Sequence, residues 1–301
     1  TCSMKNIFQI FLFLLISYSL NSQKIDSFFS KDGTEIFYEE FGSKGKTIVL
    51  LSGGPGLNPH YLETLYNQLK QNYRCILLHQ RGTGKSLLKT INQESLLVEK
   101  YIDDLNGLYK KLGGEKLILV GHSWGGMLSF SYAANEPEKI KKIILLNSGG
   151  VTDKFYSWFG SNINMRLLPE DNKLYQEQID NKQDVLVAIW PGYFFDRKIA
   201  LKTRPPLDFK FRNQDGVNPL ASGDWRKKSD ERVSKLKNYN GPIDLITGRQ
   251  DPVGESVVYE AKSIIPQLKY SFIEECGHFP WIEGKKQSET FYRLFDESMS
   301  F

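Results

Sequence analysis

Cysteine is scarce in this sequence: Cys2, Cys75 and Cys276 are the three in 301 residues. That is too few for a disulfide scaffold, and their spacing matches no metal-ligand motif. Long apolar runs are missing as well. The uninterrupted apolar stretch of the N-terminal segment is Ile10 to Ile16, whereas a spanning helix needs roughly twenty residues. Neither sign of charge dominates: Lys plus Arg is 39 against 35 Asp plus Glu, a net charge of +4, and no basic run exceeds three residues. This excludes nucleic acid as a partner. There is no internal repeat and no low-complexity tract. With 40% hydrophobic and 25% charged residues, whole-chain disorder, collagen and coiled coil are excluded too.

What is present begins with an address. Residues 4 to 22 carry a basic residue at Lys5, an apolar stretch from Ile7 to Leu20 and a small residue, Ser22. These are the parts of a secretory signal peptide. Residues 1–22 are expected to be removed by cleavage near Ser22, leaving a secreted or periplasmic chain with no stable membrane span.

From residue 23 onward, strand and helix patterns alternate. Ser27-Phe28-Phe29 and Glu35 to Tyr38 flank Asp32-Gly33, a hairpin signal. Short buried-strand runs follow at residues 46–51, 73–78, 117–120 and 143–146, with helical periodicity between them. From about Val151 to Arg232 the alternation breaks into a stretch rich in Trp, Tyr, Phe, Pro and charge, without β-branched runs. Alternation resumes at residues 243–246, 255–264, 270–273 and 283–295. Strands alternating with helices predict an α/β fold, a mostly parallel sheet covered on both faces. The core is assigned to residues 23–150 and 233–301, and residues 151–232 to an inserted helical cap. Ligands in such folds bind at the carboxyl ends of the strands.

Strand 117–120 runs into Gly121-His122-Ser123-Trp124-Gly125-Gly126, a G-x-S-x-G pattern at a strand-to-helix turn. The sharp turn lifts the Ser123 hydroxyl out of the sheet. A serine nucleophile needs a base. The chain has four histidines, and His278 alone lies downstream, in the loop after the last strand. His122 reads as a turn residue packed behind the serine; His60 and His79 are either structural or pocket-lining. The imidazole needs an orienting carboxylate. Asp251 follows strand 243–246, whereas Asp244 lies inside it, and after strand 143–146 the position is Asn147. The chain order Ser123, Asp251, His278 is that of one fold class and not of chymotrypsin or subtilisin. The oxyanion needs two backbone donors. The Trp124 amide is one; Gly54, in Ser52-Gly53-Gly54-Pro55-Gly56, is the other. Acyl transfer by this set requires neither a metal nor an organic cofactor.

These residues resemble the α/β-hydrolase superfamily and, within it, the proline iminopeptidase family. Gly53-Gly54-Pro55-Gly56 is similar to that family's H-G-G-P-G, and Gln80-Arg81-Gly82-Thr83-Gly84-Lys85-Ser86 to its D-Q-R-G-x-G-x-S. Gly121 to Gly126 resembles its G-G-S-W-G-G. Gly248 to Asp251 and Gly277-His278 match its last two blocks. The resemblance implies a triad of Ser123, Asp251 and His278. Three positions depart from the pattern. Ser52 stands where the family has His, and His79 where it has Asp. Family members also hold the substrate's ammonium with cap carboxylates, one of them before a Tyr-Phe pair; here Tyr193-Phe194 is preceded by Trp190-Pro191-Gly192. Asp196 is the residue positioned to replace that carboxylate, and Trp190, Tyr193, Phe194 and Asp196 are the expected substrate-binding residues.

The expected partner is a small molecule or short peptide. The family resemblance makes an aminopeptidase releasing N-terminal residues the leading expectation; the aromatic cap offers the alternative, a hydrolase of small esters or amides. The remaining reading is a non-catalytic binding protein on a hydrolase scaffold. Cys75 and Cys276 fall in well-separated strands and are expected to be free thiols.

Overall fold

The computed structural model describes residues 23–301. The expected signal peptide, residues 1–22, lies outside them. The described residues build eight strands in order: β1 (Lys24–Phe29), β2 (Glu35–Phe41), β3 (Thr47–Leu51), β4 (Arg74–Leu78), β5 (Leu117–His122), β6 (Ile140–Leu146), β7 (Ile243–Gly248) and β8 (Lys269–Ile273). They form one sheet in the order β1-β2-β4-β3-β5-β6-β7-β8. β1 and β2 are the hairpin expected around Asp32-Gly33, and β2 joins β4 antiparallel. Every pairing from β4 through β3, β5, β6 and β7 to β8 is parallel.

The core helices are α1 (Glu63–Leu69), α2 (Val98–Lys111) and α3 (Trp124–Asn135). The insertion between β6 and β7 adds α4 (Phe159–Asn164), α5 (Pro169–Asp180), α6 (Leu186–Ile189), α7 (Arg197–Thr203), α8 (Val217–Lys227) and α9 (Ser229–Leu236). The chain closes with α10 (Glu255–Ile264) and α11 (Lys285–Met299). No described helix is long and apolar enough to cross a membrane.

Alternation of side chains across the strands makes two cores, because successive residues point to opposite faces. Val49, Leu51, Leu119, Ile143 and Leu145 pack on one face with α2, α3 and α10. Ile48, Leu50, Val120, Ile144 and Leu146 pack on the other with α1 and α11. Since both faces are covered, the central strands read as unbroken apolar runs.

The insertion divides in two. Residues from α4 through the 3-10 turn Trp190–Tyr193 lie over the strand ends and wall a cavity there. Helices α8 and α9 pack back onto α2 and α3, where Ala221, Trp225 and Leu236 are fully buried in the first core. Cys75 and Cys276 are both buried and unpaired. Burial pushes the Cys75 thiol up to about 12, so a thiolate is not favoured there.

Candidate active site

Ser123 sits between β5 and α3 with φ of 53° and ψ of −116°, outside the regions a serine ordinarily adopts. The flanking glycines are required by close approach. A methyl group at Gly121 would run into the Gly125 carbonyl, and one at Gly125 into the Leu51 carbonyl. The turn leaves Ser123 half-buried, and its hydroxyl has no hydrogen-bond partner among the described residues. It opens into a cavity of about 340 Å³.

Asp251 and His278 are brought together from the loops after β7 and β8. His278 Nδ1 lies 2.9 Å from Asp251 Oδ2 and 3.0 Å from Oδ1, with both side chains buried. His278 lines the same cavity as Ser123. Asp251 accepts two more bonds, from the Val253 amide at 2.8 Å and from Asn147 Nδ2 at 2.6 Å. The same Asn147 nitrogen reaches the Gly277 carbonyl at 3.0 Å. Since both partners are acceptors, the NH2 of Asn147 must face them. Asp244 instead pairs with Lys142 at 2.8 Å, away from the cavity.

The loop after β3 supplies the expected amides. Gly53 N–H donates to the Tyr61 hydroxyl at 2.6 Å, while the Gly54 amide has no partner among the described residues and Gly54 lines the cavity. The Trp124 amide, at the N-terminal end of α3, is likewise without a partner among the described residues. Two free N–H groups beside the serine make an anion-binding corner. Gln80 braces this corner: it donates to the Ser52 carbonyl at 2.9 Å and accepts from the Trp124 indole at 2.9 Å. Ser52, one of the departures from the family pattern, thus holds the base of the loop. Arg81 is fully buried and grips Asp104 at two points, 2.7 and 2.6 Å.

His122 does more than pack behind the serine. Its Nε2 lies 3.0 Å from the His278 carbonyl and its Nδ1 2.7 Å from the Tyr61 hydroxyl. A carbonyl only accepts, so Nε2 carries the hydrogen and Nδ1 accepts from Tyr61. Burial, and then the neighbouring His278, push His122 well below the usual histidine range, which keeps it neutral. The chain Gly53, Tyr61, His122, His278 therefore ties the loop after β3 to the loop after β8.

Glu283 ties the second loop to the cap. It accepts from the amides of Gly277 at 3.0 Å, Phe195 at 2.8 Å and Asp196 at 2.9 Å. The His278 amide adds a bond to the Tyr193 carbonyl at 2.7 Å. Burial pushes the Glu283 carboxyl up to about 7, against the pull of those three amides.

The remaining expected residues divide. Trp190 and Tyr193 line the cavity. Phe194 and Asp196 do not: Phe194 is buried in the second core, and Asp196 accepts from the Lys198 and Ile199 amides as the N-cap of α7. A carboxylate engaged at a helix N-terminus, outside the cavity, does not substitute for an ammonium-binding group. No Asp or Glu is among the described residues that line the cavity.

His60 and His79 also lie outside it. With Glu39 they bring one carboxylate and two imidazoles together. This set does not suit a metal. The Lys85 amide donates to His79 Nδ1 at 2.9 Å, so the ring hydrogen sits on Nε2, facing Glu39 at 3.2 Å. A ligating nitrogen there would carry no hydrogen. Burial raises the Glu39 carboxyl, but bonds from His60 and His79 outweigh it and hold it at about 2. Glu39 in turn raises His60.

Sequence reasoning missed Asn147 as a partner of Asp251, and it missed Tyr61 and Glu283. A Glu directly after Phe279-Pro280-Trp281-Ile282 was the one local signal, since a charge at the end of an apolar run needs partners where it is buried.

The alpha/beta hydrolase fold model matches residues 46–198. A proline iminopeptidase of Lactobacillus helveticus is 24% identical over 267 residues, 83% of this chain and 90% of that protein. Among solved structures, an esterase from Exiguobacterium antarcticum superposes with a TM-score of 0.68 at 19% identity, covering 91% of this chain and 99% of its own. A proline iminopeptidase-related protein from Thermus thermophilus gives 0.66 at 20% identity, covering 93% and 98%. At such identities the structural likeness carries the fold alone. The family match spans half of the sequence, from β3 into the cap, and on it the chain belongs to the alpha/beta hydrolase fold family.

Proposed function

We propose that this protein is a serine hydrolase that cleaves esters or amides of apolar acyl groups through an acyl-Ser123 intermediate. The observation that carries the reading is the Asp251–His278 pair opening on the cavity that Ser123 faces. In this mechanism His278 Nε2 takes the Ser123 proton as Oγ attacks the carbonyl carbon. Asp251 holds Nδ1–H and steadies the imidazolium. The oxyanion develops against the Gly54 and Trp124 amides. His278 then gives its proton to the departing alcohol or amine, and water, activated by the same imidazole, releases the acid. The serine–imidazole contact commonly closes only with substrate bound.

The wall chemistry supports the apolar acyl group. Phe155, Phe159, Ile163, Leu186, Ile189 and Trp190 line the cavity without a carboxylate among the described residues. An ammonium desolvated there without a partner would cost on the order of several kcal/mol. The second reading, an aminopeptidase, is supported by the likeness to proline iminopeptidases over most of the chain.

One panel separates them. Prolyl- and alanyl-anilides, N-acetylprolyl-anilide and short p-nitrophenyl esters are compared, with Ser123→Ala as the blank. Ester turnover, lost by a factor of about 10⁴ or more in Ser123→Ala, is expected. Turnover of free-amine anilides that disappears on N-acetylation would favour the aminopeptidase instead. Failure of a fluorophosphonate to label Ser123 in folded protein would leave a non-catalytic binding protein.

A further inference from the structure

The cavity has one feature that acyl transfer does not use. Among the described residues of its wall, Arg212 is the one side chain with a permanent positive charge. Its mounting is rigid. The Arg212 backbone bridges Leu57, three residues beyond Gly54, and the Asn58 amide donates to the Phe211 carbonyl at 2.6 Å. Asp184 Oδ1 then holds Arg212 Nη1 at 2.7 Å and is itself fixed by the Leu186 amide at 3.1 Å.

That grip is one-sided. A guanidinium offers five N–H donors and usually takes a carboxylate at two points. Here, among the described residues, a single bond to a single nitrogen is made, and the other donors have no protein partner. Arg212 is part of the cavity wall and Asp184 is not; on its other side Arg212 lines a polar pocket that it shares with Asp184, Asp208 and Asp215. The field of Arg212 reaches Tyr193 in the same wall: burial raises that hydroxyl, Arg212 opposes the rise, and Asp251 and Asp184 add to it by less.

We infer that Arg212 binds a carboxylate carried by the substrate, so that the preferred substrates are anionic esters or amides with an apolar body. This rests on the hydrolase reading, which it narrows to a substrate class. A planar carboxylate fits the free edge of the guanidinium, and the low polarity of the wall strengthens the pair. An ammonium would meet repulsion from the same group.

The test is a binding comparison that does not need turnover. The whole chain carrying Ser123→Ala is titrated calorimetrically with monomethyl glutarate and with acetoxyacetate, which place the carboxylate on the acyl and the alcohol side. Dimethyl glutarate and methyl acetoxyacetate are their neutral counterparts. At least one anion should bind about tenfold more tightly than its neutral partner. In Ser123→Ala/Arg212→Gln that ratio should fall to near one, and in Ser123→Ala/Arg212→Lys it should persist in larger part. The inference is overturned if neither anion is preferred, or if the preference survives Arg212→Gln. The first comparison leaves Arg212 unaltered, so it stands even where Arg212→Gln lowers stability. Failure of the hydrolase reading would look different: no Ser123-dependent turnover of any ester, whatever the binding ratio.

Discussion

Asn147 stands at the end of β6 with φ of 49°, in the left-handed region that Asn tolerates better than most residues. That conformation turns its amide toward Asp251 and Gly277 at once, so one side chain braces both the carboxylate and the histidine loop. Removing it leaves a buried carboxylate oxygen short of a donor, at a cost of about 1–3 kcal/mol. Asn147→Ala should lower kcat on the order of tenfold or more, with KM little changed, because it disturbs positioning and not the cavity wall. Asn147→Gly relieves the backbone strain and so should be more stable than Asn147→Ala by about 1 kcal/mol, with the same loss of kcat. Urea unfolding and steady-state kinetics on the two variants separate the contributions; unaltered kcat in both would remove Asn147 from the positioning machinery.

At the scale of elements, the loop between β8 and α11 is held on two sides, by His122 from the core and by Glu283 toward the cap. The Glu283 carboxyl is raised from its usual 4.5 to about 7 by burial. Between those values the folded state holds a proton that the unfolded chain has released. Stability therefore falls as pH rises from about 4.5 to about 7 and is level above that. The full change is roughly 3 kcal/mol. Glu283→Gln has no such proton, so the difference in unfolding free energy between the unaltered chain and the variant should decline by that amount across the window. Denaturant titrations at half-unit pH steps measure it, and a flat difference would refute the assignment. This brace also marks where sequence reading stopped. The strands, the turn at Ser123 and the loops of Asp251 and His278 were legible because apolar runs and glycine spacing are local. Asn147 meets Asp251 from 104 positions away, and Glu283 reaches the Phe195 amide from 88. No periodicity encodes such pairs. Asp196 differs: it was expected at the substrate from its place after Tyr193-Phe194, whereas it caps α7 through amides only two and three residues on.

Across the whole molecule, the insertion is not a lid hung on a separate core. Trp225 of α8 is fully buried among core side chains; its indole donates to Ser131 Oγ at 3.1 Å on α3. The Arg232 guanidinium lies 3.6 Å from the Trp225 ring and donates to the carbonyls of Val151 and Trp225, so the two ends of the insertion are joined beneath it. No carboxylate pairs with Arg232 among the described residues, and burial pulls it down to about 9. Its compensation is the aromatic face and two carbonyls, which makes the ring more than filler. Trp225→Ala should cost about 3–5 kcal/mol, a large share of a typical domain's stability. For a chain of this size that lowers the midpoint of thermal unfolding by roughly 10 °C. The form of the transition is the sharper readout. If α8 and α9 belong to the core, calorimetry of the variant shows one transition at the lower temperature, and fluorophosphonate labelling of Ser123 is lost along the same curve. Two separated transitions, with labelling lost in the first and the sheet melting unshifted in the second, would mean that the insertion folds as its own unit.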